Sequence, residues 1–298
     1  MRSLNAVLFG KQTRYVCNKV EAKYICENTV DMYQPNQYVR QGYDMNNPAV
    51  EVYVKTWVNK DHWRCNYELN ATTILLAKGS HPNLLLPLEV VDNSEGLHFV
   101  YPLLQGVSLE DYIDTQIEQN VAERDFGKVL YVLESVAAGL AQAHNCGLVH
   151  NDVKPDNIFL KGDSNTPYGF RPTILDWDVV SRGGEKINFV CGTLAFIPPE
   201  QLLFGSALTF MKDLYALGTS IYIMLEQDLP LECGKGSDAE IVNGQLNPYR
   251  RKVRGEGIPL LIREVVDKMV AHDISERYQS LDEMVRAFRE AVNGERRG

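Results

Sequence analysis

Closely spaced cysteines, long apolar runs and an excess of positive charge are all missing from this sequence of 298 residues. Its six cysteines include no C-x-x-C pair, which excludes the usual zinc sites and a disulfide scaffold and indicates reduced thiols. No stretch is apolar over the length of a membrane span, and the run Ala6–Phe9 is too short for the core of a signal peptide. A net charge of −9 argues against a nucleic-acid partner. We therefore expect a soluble cytoplasmic protein with no membrane span.

Glycine is scarce in the first quarter of the chain, where Gly42 is the only one between Lys11 and Lys78. Closely spaced glycines let backbone N–H groups approach a phosphate without hindrance from Cβ atoms. The sequence therefore excludes a G-x-G-x-x-G phosphate-binding loop from this region.

The first third of the chain consists mainly of short segments that are typical of strands. Residues Val52–Val58 alternate aliphatic with larger side chains, as expected for a strand with two different faces. Strands are also predicted over 86–91 and 97–101, separated by a polar, turn-prone segment. Before them, 67–78 are helix-like and stop at Gly79, a natural C-terminal cap. This part of the sequence predicts a small β-rich lobe with one helix.

Helical patterns dominate the rest of the chain. Residues 214–225 are apolar on nearly every face and predict a central buried helix, and 260–292 predict two amphipathic helices. An apolar stripe with three- and four-residue steps predicts another helix, on Phe126, Leu130, Leu133, Ala137 and Leu140. We therefore predict an α+β fold of two lobes, a β-rich lobe over 1–104 and a helical lobe over 105–298.

The segment His150–Asn157 contains the side chains that point most directly to chemistry. Phosphoryl transfer needs a carboxylate that orients the attacking hydroxyl or accepts its proton, and a second oxygen ligand for magnesium nearby. Asp152 and Asn157, five residues apart on one loop, can provide these two groups. A short apolar strand follows and ends in the acidic residues Asp176 and Asp178.

The loop His150–Asn157 resembles the catalytic loop H-R-D-x-K-x-x-N of eukaryotic-type protein kinases. Asn151 stands in place of the usual arginine, so the chain is of the non-RD type. The acidic strand end, Asp176-Trp177-Asp178, resembles the D-F-G motif of the same family. The next match, Gly192–Glu200, is similar to G-T-x-x-Y-x-A-P-E.

Two further similarities follow in the order of the family. Asp213–Gly218 resembles the D-x-x-x-x-G opening of the central helix. Arg277 stands where the family pairs an arginine with the A-P-E glutamate, here Glu200. Five matches in family order imply the bilobal protein-kinase fold, with ATP and Mg²⁺ bound between the lobes and a protein as the substrate.

The resemblance assigns roles to the catalytic loop and to the segments that follow it. Asp152 would act on the attacking hydroxyl, and Lys154, two residues later, matches members directed to Ser and Thr. Asn157 and Asp176 would bind magnesium. Thr193 would bond both Asp152 and Lys154, and so favour Ser or Thr hydroxyls.

Lys55 ends a V-x-V-K pattern similar to the V-A-I-K of the family, whose lysine holds the α- and β-phosphates. Counted back from His81, the glutamate that pairs with this lysine would fall near Thr72, which cannot form an ion pair. Glu68 lies four residues earlier on the same helix face, so we predict that it pairs with Lys55.

The segment 97–109 looks like the fifth strand and hinge of the family. Tyr101 would be the gatekeeper, the residue before the hinge, and adenine would bond the backbone of Pro102 and Leu104. Pro102 lacks an N–H, but only its carbonyl is required. Phe159 would lie under the adenine ring, although the position is equally compatible with a core residue of a strand.

Three departures from the family pattern leave other functions open. The glycine-rich loop is missing, and the strands that cover the phosphates are either Arg14–Val20 and Asn28–Tyr33 or a pair that straddles Gly42. Tyr53 replaces the small alanine that packs above adenine, and Asp178 replaces the D-F-G glycine.

We therefore predict a Ser/Thr protein kinase first, with a catalytically weak or inactive pseudokinase that acts as a nucleotide-binding scaffold as the alternative. A small-molecule phosphotransferase is the third option, because Asp176-Trp177-Asp178 is also similar to the I-D-W-E strand end of aminoglycoside- and choline-kinase-like enzymes. Those enzymes generally lack a segment like Gly192–Glu200. An active enzyme is favoured by the full set of four polar residues Lys55, Asp152, Asn157 and Asp176. The sequence does not indicate the oligomeric state.

Overall fold

The structure is a computed structural model, and it describes residues 15–17, 37–44, 47–94, 96–118, 124–186, 190–202, 206–232, 236–255 and 257–295. The run Ala6–Phe9 and the candidate strand Asn28–Tyr33 lie outside these residues, as does most of Arg14–Val20. The described residues divide between two compact units, which fall within Met1–Ser80 with Leu85–Gln105 and within His81–Leu84 with Gly106–Gly298. None of the described helices has the length and apolar character required to cross a bilayer.

The first unit contains a five-stranded antiparallel sheet in the order β1-β2-β3-β5-β4. Its strands are β1 Tyr15–Cys17, β2 Gln37–Asp44, β3 Asn47–Trp57, β4 Glu89–Asn93 and β5 Gly96–Pro102. Along β3, Val52 and Val54 face the same side of the sheet and pack with Val100 of β5. The odd-numbered residues of β3 therefore share the opposite face.

Gly42 lies inside β2, where it is paired with Val52 of β3. A glycine within a strand makes no turn between two strands. The expectation that the phosphate-covering strands straddle Gly42 is therefore wrong.

The helix that the structure describes in the first unit, α1 Trp63–Lys78, begins four residues before the predicted start at Tyr67. Its N-cap residue His62 makes no side-chain cap hydrogen bond, so the sequence lacks the usual signal for a helix start. The ring of His62 instead stacks on that of Trp57 with centroids 5.2 Å apart, a tertiary contact at the start of the helix. The helix ends as predicted, because Gly79 caps it with a φ of 107°.

Strands β4 and β5 are paired neighbours at one edge of the sheet. β5 contains the predicted strand 97–101 and is one residue longer at each end. β4 begins at Glu89, three residues after the predicted start at Leu86. The intervening Pro87 has no N–H with which to join a strand ladder.

The second unit is mainly helical. Its helices are α2 Leu109–Glu118, α3 Phe126–Asn145, α4 Phe210–Glu226, α5 Asp238–Leu246, α6 Leu260–Met269 and α7 Leu281–Glu295. The predicted helix that begins at Phe126 and the two amphipathic helices predicted over 260–292 are confirmed. α4 is the predicted central helix, and thirteen of its seventeen residues are buried.

The second unit also contains two small antiparallel sheets, and each combines a strand that precedes the loop His150–Asn157 with one or more that follow it. The first, in the order β6-β8-β9, consists of β6 Gly106–Ser108, β8 Ile158–Gly162 and β9 Phe170–Ile174. The second pairs β7 Leu148–Val149 with β10 Ser181–Arg182. The sequence predicted that this strand ends in the acidic residues. β9 ends at Ile174, so Asp176 lies two residues beyond the strand.

α4 packs very closely against the end of α6. A Cβ atom on Gly218 would lie 2.7 Å from the Cβ of Met269, so a side chain at this position would push the two helices apart. The buried helix and the small β-rich unit together give the α+β fold that the sequence predicts.

The expected ion pair between Arg277 and Glu200 is present in the second unit. Nη1 and Nη2 of Arg277 donate to Oε1 and Oε2 of Glu200, both at 2.8 Å. The Arg277 side chain is buried, its Nε donates to the carbonyl oxygen of Ala271, and its guanidinium lies 4.6 Å from the ring centroid of Tyr215. The pair therefore attaches the short 3-10 helix Pro199–Gln201 to the loop before α7.

We expect Arg277→Ala to lower the free energy of unfolding by roughly 3–5 kcal/mol, because Glu200 would lose its partner in a largely buried setting. The melting temperature, measured by calorimetry, should fall by several degrees. Arg289→Ala is the control, since Arg289 also donates to a carboxylate, that of Glu134, at 2.8 Å but is half exposed. This control should cost less than about 1 kcal/mol. Equal shifts for the two variants would contradict the prediction.

Candidate active site

The loop His150–Asn157, which matches the catalytic loop of the family, is fixed by the buried carboxylate of Asp213 on α4. Asp213 is fully buried, and its two oxygens accept the backbone N–H groups of His150 at 2.8 Å and Asn151 at 2.9 Å. Nε2 of His144, on α3, lies 2.8 Å from Oδ2 of Asp213. Asn151 has a φ of 70°, a left-handed conformation that asparagine tolerates better than most residues. The loop therefore leaves β7 in a sharp turn fixed by Asp213.

The pKa of Asp213 reflects these contacts. Burial acts to raise the pKa of this carboxyl group, but the hydrogen bond and charge of His144 and the proximity of His150 outweigh burial. The pKa of Asp213 therefore lies below its ordinary value, and the carboxylate form, which accepts the loop N–H groups, is favoured.

Of the four residues predicted to be catalytic, three surround the carboxylate of the fourth, Asp152. Oδ1 accepts hydrogen bonds from the backbone N–H of Thr193 at 2.8 Å and from its Oγ1 at 2.7 Å. Oδ2 accepts Nδ2 of Asn157 at 3.0 Å and lies 3.3 Å from Nζ of Lys154. Nζ of Lys154 also donates to Oγ1 of Thr193 at 2.9 Å. The carboxylate is thus fixed in orientation on both oxygens.

The two predicted magnesium ligands, Asn157 and Asp176, lie on hydrogen-bonded backbone segments of the second unit. The backbone N–H of Leu175 donates to the carbonyl oxygen of Asn157 at 2.9 Å, and Asp176 is the next residue. Nδ2 of Asn157 is committed to Asp152, so its Oδ1 is turned away from that carboxylate. The side chain of Asp176 is exposed. These are hard oxygen donors of the kind that Mg²⁺ uses, and phosphate or water oxygens would complete the coordination.

The segment after Asp176 is attached to the catalytic loop by neutral groups. Nδ2 of Asn151 donates to the carbonyl oxygen of Val179 at 2.8 Å and to Oγ of Ser181 at 2.9 Å. Farther along, Gly192 has a φ of 94°, and a Cβ there would lie 2.3 Å from the carbonyl oxygen of Asn151. Only glycine permits this approach, which brings Thr193 to Asp152.

In the first unit, Nζ of Lys55 lies 3.2 Å from Oε2 of Glu68, which is fully buried on α1. The expected ion pair is therefore present one helical turn before the usual position. Thr72, at that usual position, is buried as well.

Glu68 has two further partners that the sequence analysis missed. Nε1 of Trp57 donates to Oε2 and the hydroxyl of Tyr101 donates to Oε1, both at 2.7 Å. The ring of Tyr101 also stacks on that of Tyr53, with centroids 5.0 Å apart. Strand alternation would have been the signal, because residues 53, 55 and 57 share one face of β3 and Tyr53 is paired with Tyr101 of β5.

The predicted adenine contacts fall in separate units. Pro102 ends β5, and Leu104 follows two residues later in irregular backbone, half-buried. Between them, the N–H of Leu103 donates to the carbonyl oxygen of Glu51 at 3.0 Å. In the second unit, Phe159 lies on β8 opposite Ser108 and is also half-buried. It is therefore a strand residue whose ring remains partly accessible.

We expect Tyr101→Phe to destabilise the first unit by roughly 1.5–3 kcal/mol, because it removes a hydrogen bond to a buried carboxylate but retains the ring that stacks on Tyr53. Urea unfolding measures the change. Tyr131→Phe is the matched control, since its hydroxyl donates to a neutral acceptor, the carbonyl oxygen of Phe170, at 3.2 Å. The control should lose about 1 kcal/mol or less. A smaller loss for Tyr101→Phe than for the control would refute the role of the hydroxyl.

Comparison with known proteins agrees with this arrangement. Residues 45–287 match the family model of the protein kinase domain. Sperm motility kinase 3A of Mus musculus is 28% identical over 188 residues, which cover 62% of this chain and 34% of the relative. Serine/threonine-protein kinase PknD of Chlamydia pneumoniae is 26% identical over 231 residues, which cover 68% of this chain and 24% of the relative.

Probable serine/threonine-protein kinase PknB of Lactococcus lactis is 24% identical over 263 residues, with 84% of this chain and 38% of the relative covered. The chain thus spans about a quarter to two fifths of the length of these curated relatives. The solved structure of the Cydia pomonella granulovirus kinase PK-1 matches the fold with a TM-score of 0.69, at 18% identity, over 85% of this chain and 90% of that one. Since the family model covers most of the sequence, this chain belongs to the eukaryotic-type protein kinase superfamily.

Proposed function

We propose that this protein kinase domain transfers the γ-phosphoryl group of ATP to Ser and Thr hydroxyls of proteins. The observation that carries the proposal is the carboxylate of Asp152, held by Thr193, Asn157 and Lys154. A positioned carboxylate beside a lysine and an amide ligand is the arrangement that phosphoryl transfer to a hydroxyl requires.

The hydrogen bonds of Asp152 leave it able to accept one more. An ionised carboxylate has about four lone-pair positions, and three hydrogen bonds reach these oxygens, from the backbone N–H and the hydroxyl of Thr193 and from the amide of Asn157. A substrate hydroxyl can therefore donate to Asp152, which orients it for attack and takes up its proton. Nζ of Lys154 lies 3.3 Å from Oδ2 and can stabilise negative charge that develops on the acceptor oxygen.

Nucleotide binding would draw on residues of both units. In the second unit Asn157 and Asp176 would hold Mg²⁺, which neutralises charge on the transferred phosphates when it is bound. In the first unit Lys55, oriented by Glu68, would bind phosphate oxygens. The adenine would contact the backbone of Pro102 and Leu104 and the ring of Phe159. On this proposal 1–104 form the nucleotide-covering lobe and 105–298 the catalytic lobe. Because the sequence has no glycine-rich loop to bring backbone N–H groups to the phosphates, we expect weak affinity for ATP.

The selectivity for Ser and Thr follows from the short distance between Thr193 and Asp152. A hydroxyl close to the peptide backbone can reach Asp152, whereas the longer tyrosine side chain would hold its hydroxyl beyond the roughly 3.5 Å needed for in-line attack. By resemblance to the family, the segment Gly192–Glu200 would seat the peptide. This peptide-seating segment is fixed to α5, since Nε2 of Gln245 donates to the carbonyl oxygen of Ala195 at 2.8 Å. We also propose a cytoplasmic location, which fits the free thiols of Cys65, Cys146 and Cys191.

A nucleotide-binding pseudokinase is the second candidate. The stacking of Tyr53 on Tyr101 favours it, because a phenol replaces the small residue that leaves room for adenine in the family. A small-molecule phosphotransferase is supported only by Asp176-Trp177-Asp178, and the fixed peptide-seating segment argues against it.

The two acidic residues should differ in their effects. Asp152→Asn should abolish transfer but leave ATP affinity nearly unchanged, because this carboxylate acts on the hydroxyl. Asp176→Asn should also weaken the magnesium-dependent binding of ATP, measured by calorimetry with and without Mg²⁺. Asp114→Asn, an exposed carboxylate of α2, is the control and should change neither quantity. Equal affinities for the wild type and Asp176→Asn would remove Asp176 from the magnesium site.

Incubation with ATP and Mg²⁺ should produce phosphoserine and phosphothreonine on the protein itself or on generic protein substrates. Mass spectrometry identifies the modified residues, and Asp152→Asn serves as the inactive control. Phosphorylation confined to tyrosine would contradict the proposed selectivity. No phosphorylation of any protein, with ATP binding intact, would favour the pseudokinase. Transfer to aminoglycosides or choline alone would favour the small-molecule enzyme.

A further inference from the structure

Lys212, in the first turn of α4, is a buried lysine that the proposed function does not use. Its side chain is almost completely enclosed, with 2% of the residue exposed. The ammonium group donates a hydrogen bond to the carbonyl oxygen of Cys191. Burial lowers the pKa of Lys212 from its ordinary value, although the nearby Cys191, Asp213 and Asp152 act in the opposite direction.

This is an unfavourable position for a cation. Removal of an ammonium group from water costs several kcal/mol, and one carbonyl oxygen replaces only part of its hydration. Among the described residues, no carboxylate lies within 4.0 Å of the Lys212 ammonium. The carboxylate of the neighbouring Asp213 is already engaged by His150, Asn151 and His144. A positive charge in the first turn also opposes the dipole of the helix. Stability alone would favour an apolar side chain.

The group that Lys212 holds lies two residues from the site of the proposed chemistry. After Cys191 comes Gly192, which packs against the carbonyl oxygen of Asn151 so closely that no Cβ would fit. Next is Thr193, whose N–H and hydroxyl both donate to Asp152. The chain between the anchored carbonyl and Asp152 therefore has little freedom, and displacement of Cys191 would be transmitted to Thr193.

We infer that Lys212 is a positioning residue for phosphoryl transfer, which acts by holding the Cys191 carbonyl so that Thr193 orients the carboxylate of Asp152. The inference rests on the proposed function, because it gives Thr193 and Asp152 their roles. The chain retains a cation in an unfavourable setting, and its site of action adjoins the residue that would receive the substrate hydroxyl. A charged donor also bonds a carbonyl more strongly than a neutral one.

The test compares Lys212→Met, which keeps an unbranched side chain of nearly the same length but removes the ammonium, with Lys252→Met. Lys252 is a lysine of the same unit whose side chain is 60% exposed. We expect Lys212→Met to lower kcat for a Ser/Thr peptide about tenfold or more, because small displacements at a reacting centre have large effects on rate. KM for ATP should remain unchanged. The melting temperature should stay the same or rise, since an unfavourable buried charge is removed. Lys252→Met should alter none of these.

Amide hydrogen exchange over 191–197 gives a second measurement that does not depend on activity. Lys212→Met should accelerate exchange in this segment, and Lys212→Arg, which keeps a cationic donor, should restore both slow exchange and most of kcat. If Lys212→Met does not fold, Lys212→Gln provides the same comparison.

The outcomes separate this inference from the proposed function. A fall in melting temperature in proportion to the loss of kcat, or unchanged kcat and exchange, would overturn the positioning role. A wild-type protein with no transferase activity would refute the proposed function and with it the catalytic consequence for Lys212. The exchange measurement would still decide whether Lys212 anchors the segment.

Discussion

The catalytic loop depends on the buried carboxylate of Asp213. Asn151 has a left-handed conformation, so the N–H groups in this turn cannot join the regular backbone hydrogen bonds of a strand or helix. A buried N–H group without a hydrogen bond is costly. Asp213 accepts two of them at once and is itself kept in the charged form by His144. The carboxylate comes from the first turn of a helix that is buried along most of its length, so it cannot easily move.

The sequence predicted much of the second unit because its functional residues are close together in the chain. Asp152, Lys154 and Asn157 lie on one loop, and their mutual contacts follow from that spacing. Thr193 required the family resemblance, since it is about forty residues away from Asp152. The contact between Lys212 and Cys191 had no local signal at all. It depends on how the first turn of α4 packs beneath a distant segment, which spacing in the sequence does not reveal.

In the first unit, the sequence predicted which residue would pair with Lys55 but not what would hold that residue. Glu68 was identified because it is one helical turn from a threonine that cannot carry charge. Its donors, Trp57 and Tyr101, come from two different strands, and only the register of β3 against β5 brings them to the same carboxylate. The start of α1 was predicted four residues too late for a similar reason. It coincides with a tertiary contact, the stacking of His62 on Trp57, which the sequence does not reveal.

Neutral hydrogen-bond donors act at two positions of the candidate site, at Glu68 and at Asn151. Trp57 and Tyr101 donate to Glu68 in addition to Lys55, so the carboxylate would keep two hydrogen bonds if Lys55 turned to another anion. Asn151 occupies the position where many family members have an arginine, and its amide bonds the carbonyl oxygen of Val179 and the hydroxyl of Ser181. An arginine buried there would need an anion to offset its charge, such as a phosphate added to the following segment. An asparagine needs none. Both arrangements fix residues of the candidate site through neutral donors of the unmodified chain.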